Sequence, residues 1–214
     1  MDTGARRVSL DRVWLLRALL VLQSPRAVFA ALRDDSEDGA QARQEPLLAI
    51  TWLAGIAGVL ATPVAGTLLD DPARDGLIVS IWAFIGGGIY AAAGYWLLGG
   101  FLYGAARSLG GRGHYRRARH VVGFAAAPLA LSLLTLWPVG IAVFGGDLFR
   151  SGGSDSGSGG SVVHWAAIVF AAWSLALLAI GIRAVHGWTW PRSLAALGLA
   201  LAPLALAVIV RALG

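Results

Sequence analysis

The sequence predicts an all-α integral membrane protein: a bundle of five transmembrane helices with N-terminal interfacial amphipathic helices. Three observations predict it. Of 214 residues, 57% are hydrophobic and only 14% charged, where a soluble domain carries about 25% charged residues. The apolar residues form continuous runs, which disfavours the alternating pattern of a β-barrel. The charge lies between those runs, and all 17 basic residues are arginine, lysine being absent. An ordinary cytosolic enzyme, a disordered chain and a nucleic-acid domain are thereby excluded. The net charge of +5 is instead read as membrane orientation and attraction to anionic lipid. Cysteine does not occur, so the chain has no disulfide framework, thiol nucleophile or thiolate metal site.

Residues 1–46 read as a cytoplasmic or interfacial segment. Val13 to Leu22 is apolar, but Arg12 precedes it, Arg17 interrupts it, and it is too short to span. It is expected to lie in the interface as an amphipathic helix anchored by Trp14. Arg6 and Arg7 make a signal peptide the competing reading. Against it, the chain continues Gln23-Ser24-Pro25-Arg26, with no small-residue cleavage site. Ser24 as N-cap and Pro25 at the first helical position predict a short helix carrying Val28, Phe29 and Leu32. The acidic stretch Asp34, Asp35, Glu37, Asp38 is expected to be a solvated loop.

Residues 47–214 read as the membrane domain, with spans at about 47–69, 78–104, 121–145, 162–182 and 193–211. A hydrocarbon core of about 30 Å needs roughly 20 apolar residues per helix, and helices satisfy every backbone group within the segment. Pro63, Pro128, Pro138 and Pro203 are expected to kink spans. Ala83, Gly87 and Ala91 form one small-residue row in the second span, and Gly88, Ala92, Gly100 and Gly104 a second. Such rows let helices approach closely, within one chain or in a homo-oligomer. Trp52, Trp82, Trp165, Trp188 and Trp190 fall near span ends as an interfacial belt. The segment 151–161 is almost pure Gly and Ser, a flexible connection.

Arginine counts orient the chain. Seven arginines precede Pro46, five lie between the second and third spans, and Arg183 and Arg192 lie between the fourth and fifth. The opposite side has Arg74, Arg150 and Arg211. Fourteen against three predicts a cell-membrane protein with a cytoplasmic N-terminus and an external C-terminus.

Chemistry is sparse. The spans hold no deep charge, which weakens an ion-coupled transporter; His164 and Arg183 sit at span rims, and His114 and His120 are expected to be exposed. Neither H-E-x-x-H nor G-x-S-x-G occurs, so no catalytic residue and no cofactor is assigned. No internal repeat supports an inverted-repeat transporter. Asp70, Asp71 and Asp75 are weighed as a hard-cation site, but Arg74 sits among them and the preferred reading is a polar turn. No metal is expected. The strongest local feature runs from Gly110 to Arg119, a glycine break followed by a basic helix start. Arg112, Arg116, Arg117 and Arg119 are the candidate contacts for anionic lipid headgroups or a protein partner, each worth on the order of 1 kcal/mol near an anionic leaflet.

Three stretches, in this order, resemble the Yip family of five-span, Ypt/Rab-interacting membrane proteins and its bacterial members in particular. They are Ser24-Pro25-Arg26-Ala27-Val28-Phe29; then Gly110-Gly111-Arg112-Gly113 with Gly123-Phe124-Ala125-Ala126-Ala127-Pro128; and Gly181-Ile182-Arg183-Ala184-Val185-His186-Gly187. The resemblance implies an integral membrane protein with five spans. Eukaryotic members act in vesicle traffic with small GTPases. The residues before the first span lack the Asp-Leu-Tyr-Gly-Pro-like stretch of many members, so GTPase binding is not carried over. The expected function is a non-enzymatic scaffold or adaptor engaging the lipid bilayer and a partner through its cytoplasmic face. The alternative is a channel or transporter for a small neutral solute lined by Tyr90, Tyr95, Ser132 and Thr135. No nucleic acid is expected as a partner.

Overall fold

The apolar runs are mostly helical in the computed structural model, which describes residues 16–34 and 36–213 and holds no strand among them. The helices are α1 (Pro25–Ala31), α2 (Glu37–Ala42), α3 (Gln44–Leu60), α4 (Gly76–Ala93), α5 (Gly99–Ser108), α6 (Tyr115–Ala125), α7 (Ala127–Phe144), α8 (Ser158–His186) and α9 (Trp190–Leu213). Residues 16–20 are also helical. Arg6, Arg7, Arg12, Val13 and the Trp14 anchor lie outside the described residues.

Four stretches are long and apolar enough to cross a bilayer: Gly76–Ser108, Tyr115–Phe149, Ser158–His186 and Trp190–Arg211. The first apolar run differs from its expected single span over 47–69. It forms the 17-residue helix α3, then turns and a short 3₁₀ segment at Ala65–Thr67. Pro63 is the physical reason: it offers no N–H to Val59 and disfavours helical geometry at Thr62. Pro138 and Pro203 stay inside α7 and α9. Pro128 sits at the second position of α7, two residues past the break at Ala126.

The acidic stretch also departs from the expected loop, because Glu37 and Asp38 form the first turn of α2. The Ser36 hydroxyl accepts from the Gly39 N–H at 3.2 Å, and two acids at a helix N-terminus complement its dipole. Ser24 stands at the N-cap position of α1, but its side chain makes no capping bond.

The chain divides into two compact units. The first is Met1–Ala49, Ala93–Ala125 and Leu175–Gly214; the second is Ile50–Ala92 and Ala126–Ser174. In the second unit, Ala57, Val59, Leu60, Leu68, Val79, Ala83, Trp137 and Phe149 make the core. There α3 and α4 meet at glycines. A Cβ on Gly55 would stand 2.2 Å from the Gly87 carbonyl oxygen, and one on Gly87 2.8 Å from the Ile56 Cα. The row Ala83–Gly87–Ala91 thus serves a contact within the chain, while Gly88 faces the Trp52 ring. In the first unit, α5 packs between α6 and α9, around buried Val28, Phe29, Leu32, Leu102, Val121, Phe124, Leu177 and Ile182.

The backbone-to-backbone approach at Gly55 leaves no room for a methyl group. Gly55→Ala should therefore lower the thermal midpoint in detergent by an amount equivalent to about 1–3 kcal/mol of overpacking. Gly66→Ala, where nothing lies within 4 Å, should be neutral.

Candidate functional site

The three resembling stretches, far apart in sequence, meet in the first unit. Phe29 from the first is fully buried, and its ring lies where a Cβ on Gly181, from the third, would be 3.0 Å away. Val121 closes the same spot, 2.8 Å from that position. Glycine at 181 is what lets an aromatic ring and a branched side chain sit directly on α8.

The Gly110-Gly111 pair closes α5. Gly110 has φ +77°, its N–H bonds the Arg107 carbonyl at 3.0 Å, and the Gly111 N–H bonds the Ala106 carbonyl at 2.8 Å. This is the paired bonding of a Schellman cap, in which a left-handed residue turns the chain and satisfies the last carbonyls. A Cβ on Gly111 would stand 2.7 Å from the Ala106 oxygen. The glycine break therefore ends a helix, and its amides are spent on that helix. Gly187, with φ +67°, turns the chain from α8 into α9 in the same way.

Arginines then fasten these ends. Arg33 donates from Nε at 3.0 Å, and from Nη2, to the Ala184 carbonyl. Arg117 donates to the Arg33 carbonyl at 3.0 Å. Arg183 donates to the Trp188 carbonyl at 3.3 Å, and its guanidinium lies 4.8 Å from the Trp190 ring centroid. Arg192 donates from Nε at 3.1 Å, and from Nη2, to the Leu109 carbonyl, with its guanidinium 4.4 Å from the Trp188 centroid. Buried Arg43 donates to the Asp34 carbonyl at 2.7 Å. Asp34 in turn accepts from the Ser36 N–H at 3.0 Å, and hydrogen bonds from Ser36 hold its carboxyl below the ordinary range. Helix C-termini carry unsatisfied carbonyls and partial negative charge, so cations belong there.

The four candidate arginines are not equivalent. Arg112 is exposed, while Arg116, Arg117 and Arg119 are half-buried with Nε atoms out of solvent. The Arg119 guanidinium lies 3.8 Å from the Trp96 ring centroid, 4.8 Å from that of Tyr115 and 5.2 Å from that of Tyr95. Two of these rings come from Gly94–Leu98, a π-helical turn joining α4 to α5, and the Tyr115 hydroxyl donates to the Trp96 carbonyl there at 2.7 Å. A π-turn loosens the backbone ladder, and Tyr115 meets one of its carbonyls. Gly99 is needed beside it, since a Cβ would be 2.5 Å from the Arg119 Cγ. His114 is exposed as expected, but His120 is buried: helix periodicity turns it inward with Val121 and Phe124.

Asp70, Asp71 and Asp75 are each engaged separately. Asp70 accepts from the Ser151 hydroxyl at 2.6 Å and its N–H at 2.7 Å. Asp71 pairs with Arg74 at 3.4 Å. Asp75 caps α4, accepting from the Leu77 and Ile78 N–H groups at 3.0 and 3.2 Å. Among the described residues no three His, Asp or Glu side chains are placed to hold a metal. Ser132 and Thr135 donate to the Leu129 and Leu131 carbonyls of their own helix.

Sequence reading singled out the 112–119 arginines but missed Arg33, Arg43, Tyr95 and Trp96 as parts of this junction. Arginines placed beside helix-ending glycines were the signal available for the tethers.

Two outcomes follow from this geometry. Gly110→Ala forces a side chain into left-handed backbone, costing about 1–2 kcal/mol, and should lower the thermal midpoint in detergent accordingly. The Ser151 hydrogen bonds, side chain first, hold the Asp70 carboxyl below its ordinary value near 3.8. A lowered folded value stabilises above the ordinary value and is lost as pH falls through it. Protease resistance of the 145–161 segment should accordingly persist at pH 5 and fall below about pH 4. Asp70→Ala should weaken that pH dependence, and Asp147, whose carboxyl is likewise held below its ordinary value by hydrogen bonds from Ser154, should account for what remains.

No curated protein and no solved structure matches the chain. The family model of the Yip1 domain matches residues 19–212, which takes in all three stretches meeting in the first unit. With four helices apolar and long enough to cross a bilayer, the chain is a multi-pass membrane protein, and it belongs to the Yip1 domain family.

Proposed function

We propose that the protein is a non-enzymatic scaffold or adaptor of the cell membrane, whose cytoplasmic basic face engages anionic lipid headgroups and a protein partner. In this reading α3 is a fifth span. At 17 residues it sits at the short end of the range that crosses hydrocarbon, and it exposes Leu48 and Trp52. Five spans put the two termini on opposite sides, and the arginine bias then puts the N-terminus in the cytoplasm and the C-terminus outside.

The observation that carries the reading is the division of charge. Among the described residues the first unit holds twelve arginines and four carboxylates, and the second holds two arginines and five carboxylates. The ion pair of Arg74 with Asp71 is in the second unit. In the first unit Arg33, Arg183 and Arg192 meet backbone carbonyls, and Arg119, Arg183 and Arg192 meet aromatic rings, which orient a guanidinium without cancelling its charge. A surface so charged attracts anionic lipid, on the order of 1 kcal/mol for each arginine near the leaflet.

The test spares Arg117 and Arg119, which cross to other segments, and changes exposed Arg112 and half-buried Arg116, with an unchanged thermal midpoint as the check that the fold is retained. The full chain carrying Arg112→Gln and Arg116→Gln, reconstituted in nanodiscs of mixed phosphatidylglycerol and phosphatidylcholine, should retain phosphatidylglycerol at least about tenfold more weakly than wild type. A thiol placed by Arg112→Cys in this cysteine-free chain should be labelled only from the cytoplasmic side. Unchanged lipid retention, or labelling from outside, would overturn the reading.

A further inference from the structure

Residues 187–189 join α8 to α9, two helices each apolar and long enough to cross a bilayer. A short non-helical connection between two such helices belongs at a membrane surface, where water can meet its backbone. Beside it opens a cleft of about 310 Å³ lined by Arg26, Arg33, Arg183, Ile180, Trp188 and Trp190, among others. That is the small end of the range for ligand clefts, about 300–1,000 Å³.

The three arginines keep most of their donors. Arg33 spends Nε and one Nη2 hydrogen on Ala184. Arg183 spends only Nε on Trp188. Arg26 is exposed and makes no hydrogen bond or ion pair with a described residue. No carboxylate among the described residues lies within ion-pair distance of any of the three. Three like charges around one cleft repel one another, and an anion among them relieves that repulsion. Guanidinium forks held in fixed orientation match the several oxygens of a phosphate.

The rest of the lining selects the kind of phosphate. Two indoles and Ile180 form apolar walls, and indole rings favour the headgroup level of a bilayer. From the cleft, α9 leads away through Trp190 and Leu194, one turn apart and 40% and 52% exposed, an apolar track at the mouth of a polar cleft. We propose that this cleft binds the phosphate of an anionic phospholipid, the headgroup held by Arg26, Arg33 and Arg183 and an acyl chain lying along Trp190 and Leu194. The proposal deepens the lipid-binding reading above and rests on it, but assigns the contact to residues outside 112–119.

Arg26→Gln is the discriminating variant, because Arg26 is exposed and makes no hydrogen bond or ion pair with a described residue, and its loss should leave the thermal midpoint without added lipid unchanged. Native mass spectrometry of the full chain in detergent, titrated with phosphatidylglycerol, phosphatidylcholine or inorganic phosphate, supplies the readout. Wild type should bind phosphatidylglycerol best, and Arg26→Gln should weaken that binding about fivefold while leaving phosphatidylcholine unaffected. If Arg26→Gln binds as wild type while the Arg112→Gln, Arg116→Gln chain is weakened, the cleft is overturned and the broader basic-face reading stands. If Arg26→Gln is weakened and the other chain is not, the cleft is supported and the 112–119 surface is discarded. Wild type with no preference for the anionic lipid overturns both, and inorganic phosphate binding as tightly as phosphatidylglycerol overturns the lipid as the source of the phosphate.

Discussion

The guanidinium-to-carbonyl bond is the constraint on which the first unit depends. Helices that stop near a membrane surface leave carbonyls without partners, and burying such groups unpaired costs about 1–3 kcal/mol each. Among its described residues the first unit holds twelve arginines and only four carboxylates. It uses the arginines on the carbonyls instead. Arg117 holds the end of α1 through the Arg33 carbonyl, and Arg33 holds the end of α8 through the Ala184 carbonyl, so two bonds in series tie three segments remote in sequence. Arg192 does the same for α5 and α9 at Leu109. The charge of each tether survives the bond, so the same residues that fix the fold also set the potential of the surface.

Small residues supply the complementary device. Inside lipid no hydrophobic force draws helices together, and close backbone approach takes its place. Gly55 against Gly87 in the second unit and Gly181 beneath Phe29 and Val121 in the first are two forms of it, helix on helix and ring on helix. Glycines of the other kind, Gly110 and Gly187, turn the chain with positive φ and present the carbonyls that arginine then meets. Glycine geometry and arginine chemistry are thus coupled: a helix that ended without a left-handed turn would leave its last carbonyls pointing elsewhere.

Helical class and most apolar stretches were legible because they rest on composition and run length, which are local. The end of α3 at Leu60 was less so, although Pro63 was visible, because a proline inside an apolar run kinks a helix in some settings and ends it in others; Pro138 and Pro203 remain inside theirs. Ser36 as the cap of α2 was hidden by four acids that looked like a solvated loop. The basic loop was found, but its internal division was not. That Arg119 sits among Tyr95, Trp96 and Tyr115 depends on a π-turn at Gly94–Leu98, and no residue there announces one. Arg33 and Arg183 were 150 residues apart on the page and share a cleft only because Gly181 admits Phe29.

The absence of lysine acquires a physical meaning at this junction. An ammonium can donate to a carbonyl, but it has no planar face to lay on Trp190 or Trp188 and no second row of donors held in fixed orientation. Arg183 does three things at once: Nε bonds a helix-turn carbonyl, the guanidinium lies 4.8 Å from the Trp190 ring centroid, and the residue lines the cleft with both terminal amino groups unspent on a described residue. Replacing it with lysine would keep the charge and lose that division of labour. A chain with so few acids therefore gains from arginine a fold constraint that does not neutralise its surface, and an anionic membrane is the environment in which such a surface is stabilised rather than strained.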